Sequence, residues 1–179
     1  MKKLFALIIF IAIGSGALAQ GFPGISNSLF GRTSQVTANA SVTQTANTFS
    51  TVDQTTYTFS AQSLGTPKPG RRIAIAAGSI SALSVTLDSI TVAGNAAASV
   101  IATSSSTHTG AIFIITDSTN ANGEIVVTFS GPATRCGIAI FALYDLASST
   151  ATDAQESEAS PGSVSLNISA NGVAIGYSI

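Results

Sequence analysis

The sequence predicts an all-β antiparallel sandwich, Ig-like or jelly-roll-like, on three observations. Beyond Thr55, short apolar or alternating runs follow one another at regular intervals, each bounded by Gly, Pro, Asn or Asp. Turn dipeptides stand between those runs at Gly94-Asn95, Asn122-Gly123 and Asn171-Gly172. The chain has 179 residues, of which 45% are hydrophobic, the size of one domain with enough apolar content to fill one core. A domain of this length buries roughly 68 to 70% of the surface its unfolded chain exposes, so no disulfides are needed. About eight or nine short strands are expected. A β-solenoid would need a fixed repeat period, and none is found.

The first element is a signal helix over residues 1–19. Lys2 and Lys3 precede the apolar run Leu4 to Ile13, and the small residues Gly14 to Ala19 follow. Ala17 and Ala19 match the A-x-A pattern, so cleavage is expected between Ala19 and Gln20. A membrane-spanning helix would need ~20 apolar residues, and Gly14, Ser15 and Gly16 interrupt this one. No Cys follows the cleavage site to carry a lipid. Residues 20–54 read as a polar Ser/Thr-rich lead-in with one strand around Ser41 to Phe49; such an arm serves as a linker or wraps a neighbouring subunit.

Residues 55–179 form the sandwich domain. Tyr57 to Phe59 is a strand, ended by the turn region Gly65 to Gly70, where Pro67 and Pro69 block continuation. Ile73 to Ala77 is a buried run. Val85 and Leu87 alternate in phase and Ile90 and Val92 resume one residue out of phase, which predicts a bulge or tight turn at Asp88-Ser89 with a flip of face. Gly94-Asn95 predicts a type II′ hairpin between Ile90–Ala93 and Ala96–Ala102. The loop Thr103 to Gly110 leads to a strand at Ala111 to Ile115, and Asn122-Gly123 returns it as a second hairpin through Glu124 to Ser130, stopped by Gly131-Pro132. Ile125, Val127 and Phe129 share one face of that strand. Cys136 to Tyr144 is apolar on both faces, as in a central strand covered on both sides. After the acidic loop Thr150 to Gly162, Val164–Ile168 and Val173–Ile179 make a third hairpin.

Only 8% of residues are charged, and seven basic residues against eight acidic ones leave nothing to neutralise a phosphate backbone, so nucleic acid is excluded as a partner. One Cys, one His and no Trp exclude disulfide frameworks, Cys/His zinc sites and most aromatic sugar platforms.

The candidate chemical residues are few, and no catalytic, cofactor-binding or metal role is assigned to any. His108 sits in a polar loop and reads as solvated. Cys136 beside Arg135 could be an activated thiol, but at the head of an apolar strand it reads as buried and inert. No G-x-S-x-G or S-x-x-K occurs in the mature chain, and a Ser/His/Asp triad would depend on His108. Asp145, Asp153, Glu156 and Glu158 gather acid where a loop calcium site could form, without any EF-hand spacing. Asp88, Asp117, Glu124 and Asp145 read as turn or strand-end residues rather than a glycosidase pair. Arg71 and Arg72 at a strand entrance read as surface side chains. Asn39-Ala-Ser41 and Asn167-Ile-Ser169 match a glycosylation sequon.

The strings Tyr57–Ser60, Arg71–Ile75, Ser89–Gly94, Glu124–Ser130, Arg135–Ile140 and Ala159 to Val173 resemble uncharacterised β-sandwich proteins of tailed phages and prophages. The resemblance covers Thr55 to Ile179 and implies a tail- or virion-associated structural part without catalytic residues. A signal peptide departs from that pattern, because tail proteins assemble in the host cytoplasm. Two function classes follow. One is a non-enzymatic structural or adhesion module, exported or virion-associated, that self-associates or contacts protein partners, with no membrane contact after cleavage. The other is a secreted carbohydrate-binding module, calcium-dependent through the Thr150 to Gly162 loop; Tyr57, Tyr144 and Tyr177 are its only tyrosines.

Overall fold

The computed structural model describes residues 10–12, 40–146, 148, 150–151, 153–155, 165–167 and 173–176. Among these the protein is all-β. Its strands are β1 (Phe10–Ala12), β2 (Ser41–Ser50), β3 (Gln54–Ser63), β4 (Arg72–Ile80), β5 (Leu87–Val92), β6 (Asn95–Ala96), β7 (Ala98–Ser104), β8 (His108–Thr116), β9 (Asn122–Ala133), β10 (Arg135–Tyr144) and β11 (Asp153–Gln155). A five-stranded antiparallel sheet has the order β2-β10-β4-β8-β7 and a four-stranded one the order β3-β9-β5-β6, while β1 pairs with β11. The expected signal segment, apart from Phe10–Ala12, and most of the expected C-terminal hairpin lie outside the described residues.

The pairing is nested. Ser41 opposes Tyr144, Tyr57 opposes Val127, Ile75 opposes Phe113, and Val92 opposes Asn95. Residues 41–92 and 95–144 are thus the two legs of one long hairpin that passes from sheet to sheet as it goes. One departure occurs near the tip, where Asn95–Ala96 stays with β5 but β7 moves to the edge of the five-stranded sheet beside β8. The tip is Ala93-Gly94, both with positive φ (48° and 81°), a type I′ turn and not the expected type II′ at Gly94-Asn95. Burial of Val92 and the bond from Ala93 N–H to Glu124 O (2.8 Å) fix the register one residue earlier.

Between the sheets lies one core. Tyr57 and Phe59 of β3, Ile73 and Ile75 of β4, Ile125, Val127 and Phe129 of β9, and Ile138 and Ile140 of β10 all face it. The Tyr57 ring meets Phe129 edge-on at 5.8 Å. The outer face of the five-stranded sheet is also apolar: Ala74, Ala76, Ile112, Ala139 and Leu143 are covered by Val173 and Ile175. This is why the run at β10 is apolar on both sides.

Several local expectations change. The register shift between Leu87 and Ser89 is the expected bulge, yet it does not flip the face: by absorbing one residue it keeps Val85, Leu87, Ile90 and Val92 all buried. β8 and β9 do not form a hairpin, because β4 and β7 already occupy both edges of β8, and the chain crosses to the other sheet instead. Gly131-Pro132 does not end β9, which runs to Ala133; the proline falls at an irregularity in the pairing with β3, beyond the reach of β5, where no ladder bond is required. The loop at residues 103–110 shrinks to 105–107, with Ser105 N–H bonded to His108 O at 2.7 Å.

Arg71 is the largest correction. It is wholly buried, not on the surface. Its Nε donates to Asp117 O (2.7 Å), one terminal nitrogen to Gly65 O (2.7 Å) and the other to Asn120 O (2.6 Å). The second terminal nitrogen also lies 3.5 Å from the Asp117 carboxylate. These carbonyls belong to the two connections, 64–71 and 117–121, by which both legs of the hairpin cross between sheets at the same place. Leu64 N–H to Ala121 O (2.8 Å) joins the same pair. Only a guanidinium offers enough donors in a fixed plane to satisfy three carbonyls at once.

Replacing Arg71 with Met leaves those three carbonyls without their donors and takes the ion pair from Asp117, and the expected loss of unfolding free energy in urea is about 3 kcal/mol or more. Arg71→Lys should lose most of the same, since one ammonium cannot span the three acceptors. Asp117 supplies a pH test. Burial works to raise its carboxyl, but the Asn120 N–H and side-chain amide, the Thr119 N–H and the Arg71 charge outweigh it and hold the group below its ordinary value. Its contribution is therefore complete above about pH 3.9 and is lost as pH falls through the lower native value. Urea midpoints measured from about pH 5 to pH 2 should fall less steeply in Asp117→Asn than in the parent.

Candidate functional site

The structure scatters the chemical candidates. Cys136 is completely buried on the inner face of β10, opposite Ser79, and burial pushes its thiol up to about 12. His108 opens β8 on the other face, opposite Ile80, with Nδ1 2.7 Å from Thr107 Oγ1. Adjacent residues of β4 thus separate the two side chains onto opposite sides of the sheet, and they form no nucleophile and base pair.

The acids are likewise engaged singly. Asp145 receives Lys68 Nζ at 2.7 Å on both oxygens. Asp153 accepts the Asn167 N–H at 2.9 Å and the Gln155 amide at 3.1 Å. Asp88 accepts from Thr86 Oγ1 at 2.8 Å, Asp117 belongs to the Arg71 cluster, and Glu124 is exposed on β9. Glu156 and Glu158 lie outside the described residues, as do Asn39 and Tyr177. Among the described residues no group of three or more His, Cys, Asp or Glu side chains is placed to hold a metal ion. Arg72, half-buried, donates to Gly70 O at 3.1 Å, and Tyr144 donates to Thr66 O at 3.1 Å.

What the fold does present is apolar surface on an uncharged strand. Strand β2, read from sequence as part of a lead-in, is the edge of the five-stranded sheet. Phe49 near its end is 75% exposed, and Val42 near its start is 41% exposed. Phe49 stands at the end of a row in which Gly137, Gly78 and Gly110 follow across β10, β4 and β8. With no side chains over those glycines, a shallow depression of about 180 Å³ opens beside the ring, bounded by Ile80 and Arg135. The connections at the same end of the sandwich carry Val52 and Leu83, 60% and 73% exposed. The opposite end holds the Arg71 cluster and the exits of the chain at residues 40 and 145. Sequence patterning missed this surface because isolated apolar residues in a Ser/Thr-rich stretch have no period; their only signal is that two of them flank a run without charge.

The buried thiol gives a direct check. At pH 8 the fraction of Cys136 present as thiolate should be about three orders of magnitude below that of an ordinary thiol. A chromogenic aromatic disulfide should therefore label the native chain far more slowly than the chain in urea; equal rates would place the thiol at the surface. No family model, no curated protein and no solved structure matches this chain.

Proposed function

We propose that this chain is a non-enzymatic structural or adhesion module of jelly-roll type, exported or carried on a virion, that works through contacts with protein partners. The strand orders favour a jelly roll over an Ig-like sandwich. In an Ig-like domain the first two strands share a sheet, whereas here β2 and β3 lie in different sheets, and strands alternate between the sheets along the first leg and from β8 to β10. Jelly rolls serve both capsid and lectin domains, so topology alone does not choose between them.

The observation that carries the reading is the exposed apolar pair Phe49 and Val42 on an edge strand without a single charged residue. Large exposed apolar side chains on a hydroxyl-rich, weakly charged surface suit a protein contact better than solvent. The resemblance of the strand strings to phage-encoded sandwich proteins points the same way.

Fractionation of the native source, with intact-mass measurement, tests this. Recovery in the envelope or in purified particles, bound to other proteins through washing, is the expected result. A chain free in the medium that gives a calcium-dependent signal on a glycan array would replace the proposal with a secreted carbohydrate-binding module. A mass beginning at Gln20 marks export, and an uncleaved chain in particles marks a retained anchor.

A further inference from the structure

We propose that two copies of this chain pair through β2, antiparallel, about a two-fold axis between Thr45 and Ala46, joining their five-stranded sheets into one sheet of ten strands. The proposal rests on the contact-module reading and names the partner. Among the described residues β2 pairs only with β10, so its other edge offers unpaired backbone donors and acceptors. The strand contains neither Pro nor any charged residue, two of the usual guards of such an edge, and its one guard is the bulge at Thr45.

The sequence of this edge is nearly palindromic in chemical character. Ser-Val-Thr-Gln-Thr-Ala-Asn-Thr-Phe-Ser set against itself in reverse places Ser41 beside Ser50 of the second copy, Val42 beside Phe49, Thr43 beside Thr48, and Gln44 beside Asn47. These four pairs are of like kind, hydroxyl with hydroxyl, apolar with apolar and amide with amide, and only the central pair, Thr45 with Ala46, is mixed. Aromatic with β-branched and Thr with Thr are among the stabilising cross-strand pairs.

The fold supplies what the sequence alone could not. In an unbroken strand Val42 and Gln44 would face the side opposite to Asn47 and Phe49. The register shift at Thr45 corrects this: Val42 opposes Leu143, Gln44 opposes Phe141, Asn47 opposes Ala139 and Phe49 opposes Gly137, all on the outer face of β10. The four exposed side chains therefore form one surface row with its apolar members at the two ends. An isologous interface requires such a self-complementary patch. A two-fold placed at its centre brings Phe49 of each copy onto Val42 of the other and excludes both from water.

Sedimentation of the full chain, expressed from its complete sequence, should show a dimer at micromolar concentration. Gln44→Lys with Asn47→Lys sets like charges opposite each other twice across the axis, and should weaken the dimer by about tenfold or more. Gln44→Lys with Asn47→Glu sets opposite charges there and should keep it. All four substitutions fall on exposed positions, and an unchanged circular dichroism spectrum verifies the fold. A monomer at every concentration, equal behaviour of the two variants, or loss of the dimer in the charge-swapped one overturns the proposal. A monomer held in particles or envelope would leave the contact-module reading standing, whereas a dimer free in the medium that binds glycans would do the reverse.

Discussion

A long hairpin that alternates between two sheets must carry both of its legs through the space between them, and the backbone polar groups of those crossings have to be satisfied where neither ladder can reach. Arg71 meets that constraint at one end of the sandwich. Its guanidinium binds carbonyls from both crossing connections, so two stretches of chain that are some 50 residues apart in sequence are held as one joint. Tyr57 does comparable work at the other end. Its hydroxyl donates to Val52 O (2.9 Å), in the connection from β2 to β3, and to Ala133 O, at the end of β9 where the chain turns into β10, and burial raises the phenol's pKa against a smaller lowering by the Gln54 backbone. The apolar core between the sheets is thus bracketed by two polar ties, one from Tyr57 on β3 and one from Arg71 just before β4.

The strands were largely legible and their partners were not. Alternation in Ile125, Val127 and Phe129, and double-sided apolarity from Cys136 to Tyr144, mark a half-buried and a central strand because burial acts residue by residue. The slip of phase at Asp88-Ser89 correctly marks a bulge. Pairing in this fold is set by nesting about a distant tip, so only the turn at Ala93-Gly94 has a local signature; the apparent hairpin through Asn122-Gly123 is a crossing with the same turn chemistry. Arg71 looked like a surface side chain since nothing in Gly70-Arg71-Arg72 tells which arginine faces the carbonyls of a loop 46 residues further on. Phe49 and Val42 gave no sign of sharing a face, because the irregularity at Thr45 that aligns them depends on β10.

The same architecture explains where contacts can be made. Charges are few, and several of the described ones are consumed in holding loops: Lys68 with Asp145, Arg71 with Asp117, Asp153 with Asn167. The outer face of the five-stranded sheet is covered by Val173 and Ile175 over Ala74, Ala76 and Leu143, and the depression beside Phe49 lies on the glycine row of the same sheet. The Arg71 cluster closes one end of the sandwich, and the exposed apolar side chains Val52 and Leu83 lie on connections at the other. The proposed contact role needs rigidity more than chemistry, and a doubly tied ribbon provides it.

If the two legs form a single ribbon locked at its crossings, the two sheets cannot open independently. Native-state hydrogen exchange measured as a function of denaturant tests this directly, using the buried amides of β4 in one sheet and of β9 in the other. One common opening free energy, equal to that of global unfolding, is expected for both sets. Separate exchange of the four-stranded sheet at a distinctly lower free energy would contradict it.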